Sequence, residues 1–250
     1  MDAIKGLAAL IIAVTLGHVA AAQADGKHWT YSGHGGPSEW GALSDEFATC
    51  KLGKNQSPID IRGAKAADLP AIKFDYKPSP LKVIDNGHTI QVNYASGSSI
   101  EVGGTRYELV QFHFHKPSEE KIEGKSHDMV AHFVHKSPEG KLAVVAVLLD
   151  KGGAKGVIDS IWKNLPKTKE KEVLVTNVTI DATNLLPENK GYYQFQGSLT
   201  TPPCSEEVTW LVLKTPVKIG DGAIAAFGKI YPMNARPTQA LNGRAVQATR

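Results

Sequence analysis

The stretch Gln111-Phe112-His113-Phe114-His115 limits what this chain can fold into more than any other. It lacks Gly and Pro and is rich in aromatic residues, so it reads as a β-strand. Successive side chains of a strand leave opposite faces. Phe112 and Phe114 therefore point into a core, and His113 and His115 stand together on the other face. Met129-Val130-Ala131-His132-Phe133-Val134-His135 reads as a second strand, with His132 between Val130 and Val134 on one face. If the two strands pair, three imidazoles converge.

Three neutral imidazoles with an open fourth vertex describe a hydrolytic zinc site, whereas a closed structural site wants a fourth ligand, usually Cys. A single strand His is usually structural, and a pair at i and i+2 also fits a solvated face. The spacing alone leaves both readings open.

The rest of the chain alternates short apolar runs with turn signals. Residues 72–76, 81–84, 89–94, 99–102, 108–115, 129–135, 142–149, 173–178, 192–196 and 207–213 fit strands, punctuated by Asn86-Gly87, Gly103-Gly104 and Pro138-Glu139-Gly140. Helical pattern is sparse, at 157–164 and 221–229. Residues 25–60 look loop-rich. At 250 residues, 42% hydrophobic and 21% charged, the chain suits one β-dominated α+β domain with a large mixed sheet. The net charge of +3 and the lack of a dense Lys/Arg cluster imply no nucleic-acid partner. The richest basic stretch, 163–171, is broken by Pro166 and Glu170.

The N-terminus has the order of a signal peptide. Lys5 supplies the positive end, residues 6–16 a short apolar run, and Ala20-Ala21-Ala22 or Ala22-Gln23-Ala24 a small-residue cleavage site. Residues 1–24 are thus expected to be removed after Ala22 or Ala24, leaving a 25–250 domain in the periplasm or outside the cell. No stable membrane insertion should remain after cleavage; the alternative is a retained N-terminal anchor. Two cysteines in an exported chain suggest a Cys50–Cys204 disulfide, the alternative being two free thiols.

The segments QFHFHKPSEE (111–120), AHFVH (131–135) and GSLTTPPCSEEVTW (197–210) resemble the α-class carbonic anhydrases. KNQSPIDI (54–61), DNGHTIQV (85–92), KLAVVAVLL (141–149) and MNARPTQALNGR (233–244) follow in the order of that family, so the resemblance covers nearly the whole mature chain. With the signal segment and the cysteine pair, it looks like an exported bacterial member. The resemblance implies a single domain on a large, mostly antiparallel twisted sheet with a few short peripheral helices. It implies one Zn²⁺ per chain on His113, His115 and His132, and attack of zinc-bound hydroxide on CO₂ to give bicarbonate. Esterase activity on activated esters is an implied side reaction, and a homodimer is left open.

Further roles follow from the same resemblance. Thr200 matches a gatekeeper hydroxyl and Glu119 its carboxylate partner. His88 matches a proton shuttle, with Tyr31, Asn86 and Gln91 ordering water toward it. Val134, Val144, Leu199, Thr201, Val208 and Trp210 match the substrate niche. Gln111 matches an acceptor for His113, and a backbone carbonyl near Asn234 one for His115. The family commonly places Glu two residues before the third ligand, where this chain has Val130, which cannot accept a hydrogen bond. His132 is therefore expected to lack its outer partner and to hold zinc more weakly.

Overall fold

The computed structural model describes residues 28–250 apart from Lys155; the predicted signal segment lies outside the described residues. Among these, thirteen strands form one sheet. Its main path runs Val173–Ile180, Ser79–Asp85, Ile90–Asn93, Thr105–His115, Met129–Lys136, Leu142–Lys151, Val208–Leu213, Tyr192–Gly197, Gln247–Thr249, Lys65–Ala67. Most neighbours are antiparallel. The parallel pairs include Leu142–Lys151 beside Val208–Leu213, and Gln247–Thr249 beside Lys65–Ala67. The mixed, mainly antiparallel sheet is the predicted fold.

The two faces of the sheet separate as the alternation requires. Phe112, Phe114 and Phe133 enter one core with Ile158, Ile161 and Phe227 from the helices Val157–Trp162 and Asp221–Ile230. Fully burying each Phe contributes about 1.5–3 kcal/mol. The longer helix presents Ala223 and Phe227, one turn apart, to the sheet. It carries Asp221 in its first turn and Lys229 in its last, as the helix dipole favours. The Trp162 indole N–H donates to the Ala223 carbonyl at 2.9 Å and locks the two helices together. The opposite face carries a second apolar cluster that includes Val130, Val144, Val208 and Trp210.

Every predicted strand has a counterpart, with ends shifted by a few residues. The predicted 157–164 helix stops at Trp162. The described part of 25–60, residues 28–60, is less loop-like than expected, because Trp40–Leu43 and Thr49–Leu52 each close one helical turn. A small sheet of Asp60–Ile61, Lys121–Ile122 and Lys125–Ser126 escapes the sequence pattern, since two-residue strands show no period. This sheet anchors the chain just beyond Glu119 and Glu120. The Cys50–Cys204 disulfide is formed, with Cα atoms 5.0 Å apart.

Candidate metal centre

The register of the sheet assembles the site. His132 pairs directly with His113, and His113 with Gln91, across three adjacent strands. One step along, Gln111, Val134, Val144 and Trp210 form the next row. Residues directly opposite in adjacent strands point to the same face. His113 and His132 thus lie beside a row in which Val134, Val144 and Trp210 are apolar. His115 stands two residues from His113 on the same face, and its ring centroid is 5.0 Å from that of His113 and 4.7 Å from that of His132.

One ligand-type atom from each of the three rings lies within 4.8 Å of the others. Each ring's other nitrogen has a partner. The His113 Nδ1–H donates to Gln111 Oε1 at 2.8 Å. The His115 Nδ1–H donates to the Asn234 carbonyl at 2.7 Å. The His132 Nε2–H donates to both Glu120 oxygens, at 3.0 and 3.2 Å. These bonds leave Nε2, Nε2 and Nδ1 facing one another.

The donor set suits Zn²⁺. The His115 Nε2 is buried and has no hydrogen-bond partner, a state that costs about 1–3 kcal/mol unless a ligand satisfies it. Burial, reinforced by the neighbouring His132, pulls His113 down to about 3 and His115 well below the ordinary imidazole value. Both rings are therefore neutral at pH 7, the state in which imidazole binds metal. Burial also pulls His132 down, but Glu120 and Glu119 outweigh it and leave that ring raised.

The expected gap behind His132 is not there. Val130 is fully buried and apolar, yet Glu120 arrives from the bend after His115 and takes the Nε2–H. The expectation of an unpartnered ligand is thereby overturned. It assumed that an acceptor must come from the same strand.

Glu119, one residue earlier, lies on the other side of the site. Its Oε1 accepts the Arg236 backbone N–H at 2.7 Å. Its Oε2 lies 3.5 Å from His115 Nε2 and 3.8 Å from His132 Nδ1. Burial, helped by Glu120, pushes its carboxyl up to about 7, against the pull of His132, the Thr200 hydroxyl and the Arg236 amide. Thr200 and Glu119 are thus brought together as the sequence suggests. Thr200 is buried, and Thr201 beside it is partly exposed.

Val144, Val208 and Trp210 are buried in one cluster, with Val134 and Leu199 packed on it. The Trp210 ring meets His132 edge-on at 4.9 Å. The Trp210 indole N–H donates to the Ser198 carbonyl at 3.0 Å and ties the wall to the loop that carries Leu199 and Thr200.

His88 sits on the turn between Ser79–Asp85 and Ile90–Asn93. Gly87 takes φ +86°, which only Gly adopts cheaply. Asn86 Oδ1 accepts the backbone N–H groups of His88 and Thr89, at 3.0 and 2.9 Å. Asn86 Nδ2 donates to Gln91 Oε1 at 3.3 Å. Both predicted water-ordering residues therefore also hold this turn in shape. The His88 ring stacks on Trp29 at 3.6 Å and 9°, with His28 6.0 Å away. Tyr31 turns its ring toward His115 at 6.5 Å, and its hydroxyl is buried without a partner.

Three contributors escape the sequence. Glu120 is the first. The Asn234 side chain is the second: it bonds Lys116 N–H at 2.7 Å, the Phe114 carbonyl at 2.9 Å and the His88 carbonyl at 3.0 Å, fastening the His88 turn to the end of the Thr105–His115 strand. Trp29 is the third. Only the adjacent pair Glu119-Glu120 is visible as a signal, and only once both are known to be buried.

The family model described as eukaryotic-type carbonic anhydrase matches residues 35–250. A carbonic anhydrase from Neisseria gonorrhoeae is 47% identical over 242 residues, covering 96% of this chain and 95% of that protein. A hyperthermostable carbonic anhydrase from an active hydrothermal vent chimney superposes with a TM-score of 0.86 at 45% identity, covering 89% of this chain and all of the other. The α-carbonic anhydrase of Thermovibrio ammonificans, solved with the inhibitor sulfanilamide, gives 0.84 at 42% identity, covering 90% of this chain and all of the other. Sequence, fold and the convergent imidazoles agree, and the chain belongs to the α-class carbonic anhydrases.

Proposed function

We propose that this chain binds one Zn²⁺ through His113, His115 and His132 and catalyses the reversible hydration of CO₂ to bicarbonate and a proton. The convergence of three imidazoles beside an apolar wall carries this reading. Bound zinc acidifies water and readies it for attack on carbon. CO₂ is small and apolar, so Val134, Val144, Leu199, Val208 and Trp210 suit it better than donors would, and Thr201, next in the chain to Thr200, completes the proposed niche. A hydroxyl has one proton to give. With its O–H donated to the Glu119 carboxylate, the Thr200 oxygen can only accept, and it turns a reacting hydroxyl so that a lone pair faces the carbon. Esterase activity on activated esters follows from the same attack.

Stopped-flow CO₂ hydration on protein of measured zinc content tests this. Activity should track zinc through chelation and re-addition. A fully zinc-loaded preparation inert toward CO₂ overturns the reading.

His88 carries the proton out. An imidazole exchanges protons near neutral pH, and burial, with His28 beside it, holds this one below the ordinary value. A lowered pKa leaves the ring neutral, and able to accept, down to a more acid pH. Maximal turnover in hydration should therefore fall only below about pH 6.5. His88→Ala should reduce kcat about 100-fold, the low end for a positioned proton carrier. It should leave kcat/KM nearly unchanged, and imidazole buffer should restore the rate. Equal losses in kcat and kcat/KM, with no rescue, would place His88 elsewhere in the mechanism.

Export to the periplasm or beyond is part of the proposal. The charged, apolar and small-residue order of 1–24 and the buried disulfide support it. Sequencing of the mature N-terminus should find Gln23 or Asp25.

A further inference from the structure

Glu119 and Glu120 are consecutive, and both are essentially fully buried, at 1% and 0% exposure. They face opposite edges of one imidazole. The Nδ1 edge of His132 looks toward Glu119 Oε2 at 3.8 Å, and the Nε2 edge is held by both oxygens of Glu120. Burying two adjacent carboxylates is costly unless each is matched by donors. Glu119 has the Arg236 amide and Thr200. Glu120 has the His132 ring.

The strand itself offers His132 nothing. Val130, two residues back on the same face, lies against an apolar cluster with Ile59, Ile61 and Leu148. Glu120 reaches the ring from the bend that follows His115. That bend is fixed by the Ser118 hydroxyl, which donates to the Glu120 carbonyl at 2.7 Å and accepts the His127 N–H at 2.9 Å. Just beyond it, the Lys121 N–H donates to the Ile59 carbonyl at 3.2 Å and the Glu123 N–H to the Ile61 carbonyl at 3.0 Å.

We infer that Glu120 is the positioning residue of the zinc site: it holds the proton on His132 Nε2, aims Nδ1 at the metal, and replaces from a loop the carboxylate that position 130 cannot supply. The inference rests on the zinc reading above. It makes metal retention depend on the small Asp60–Ile61, Lys121–Ile122 and Lys125–Ser126 sheet as well as on the ligand strands. A carboxylate behind a ligand imidazole fixes both its tautomer and its direction, and losing such a partner typically costs about 10–100-fold in metal affinity.

The test is zinc release from the loaded full-length protein into a chromogenic chelator. Glu120→Gln keeps the volume and removes the charge, and should release zinc about 10–100-fold faster than wild type. Val130→Glu added to Glu120→Gln puts a carboxylate back at the same ring from the strand side, and should bring the rate back to within a few-fold of wild type. That repair separates positioning from packing, since a change that only loosened the fold would not be mended by a second buried charge. Two results overturn the inference while leaving the zinc reading intact: release from Glu120→Gln at the wild-type rate, or fast release that Val130→Glu leaves unrepaired. A wild-type chain that takes up no zinc at all removes the reading beneath it.

Discussion

His115→Ala should leave a folded protein with no bound zinc and with CO₂ hydration at the uncatalysed background, a loss of at least about 10⁴-fold. Among the three proposed ligands, His115 is the one with no exposed surface, and its inward nitrogen has no hydrogen-bond partner. Its ring is already aimed, because Nδ1 is held by the Asn234 carbonyl. Two remaining imidazoles are one short of the three protein ligands a catalytic zinc site uses. Loss of a buried ring also leaves a cavity, so lost activity alone does not identify a ligand. His135→Ala is the matching control. His135 lies on the neighbouring strand Met129–Lys136, equally buried, but its Nε2 pairs with the Tyr76 hydroxyl at 2.8 Å on the opposite face of the sheet. Its removal should lower stability and leave one zinc per chain. Zinc per folded chain, by mass spectrometry and calorimetric unfolding, distinguishes the two. A folded His115→Ala protein that keeps stoichiometric zinc and hydrates CO₂ within tenfold of wild type defeats the ligand assignment.

What the sequence reveals about this fold and site is what local physics encodes. Alternation with period two marks the strands, and it places Phe112 and Phe114 against His113 and His115 before any pairing is known. Turn chemistry is equally local: Gly87, Gly103, Gly104 and Gly140 all take positive φ where turns are predicted. The order of strands is not local. Nothing in Leu142–Lys151 announces Val208–Leu213 as its parallel neighbour, yet that pairing puts Trp210 in the row of Val134 and Val144. Glu120 is hidden for the same reason. Twelve residues separate it from His132, and a bend rather than a periodicity closes the gap. Arg236 is another case. Its guanidinium is buried over Trp40, bonded to Gln56 Oε1 and to the carbonyls of Ser57 and Cys50, and burial lowers it to about 10. Its partners lie some 180 residues away, beyond the reach of any pattern read along the chain.

Removing the disulfide should have the second-largest effect, on stability rather than chemistry. Cys50–Cys204 joins the one-turn helix Thr49–Leu52 to the loop carrying Thr200 and Thr201, across 154 residues of chain. Closing so long a loop restricts the unfolded chain by up to ~5 kcal/mol in the chain-entropy model. Cys50→Ala/Cys204→Ala should therefore lose about 3–5 kcal/mol, which for a domain of this size lowers Tm by roughly 6–20 °C. Substitution is a better probe than reductant, because both cysteines are buried in the native fold, at 8% and 0% exposure. Two causes compete: the alanines leave small cavities beside Trp40 in the native state, whereas the missing cross-link frees the unfolded state. Cavities lower the denaturation midpoint and leave its steepness alone. An unfolded chain freed of the link exposes more surface, so the slope of unfolding free energy against urea should rise as the midpoint falls. Within the native state, the Cys204 carbonyl still receives Gln56 Nε2 at 3.0 Å, and the Cys204 N–H still bonds the Thr201 carbonyl at 2.8 Å. The loop should keep its shape at 25 °C, and zinc content and kcat/KM should stay within about threefold of wild type, since these backbone partners outlast the sulfur link. A Tm within 2 °C of wild type, or a lower midpoint with unchanged slope, would show that the bridge does not act through the unfolded chain.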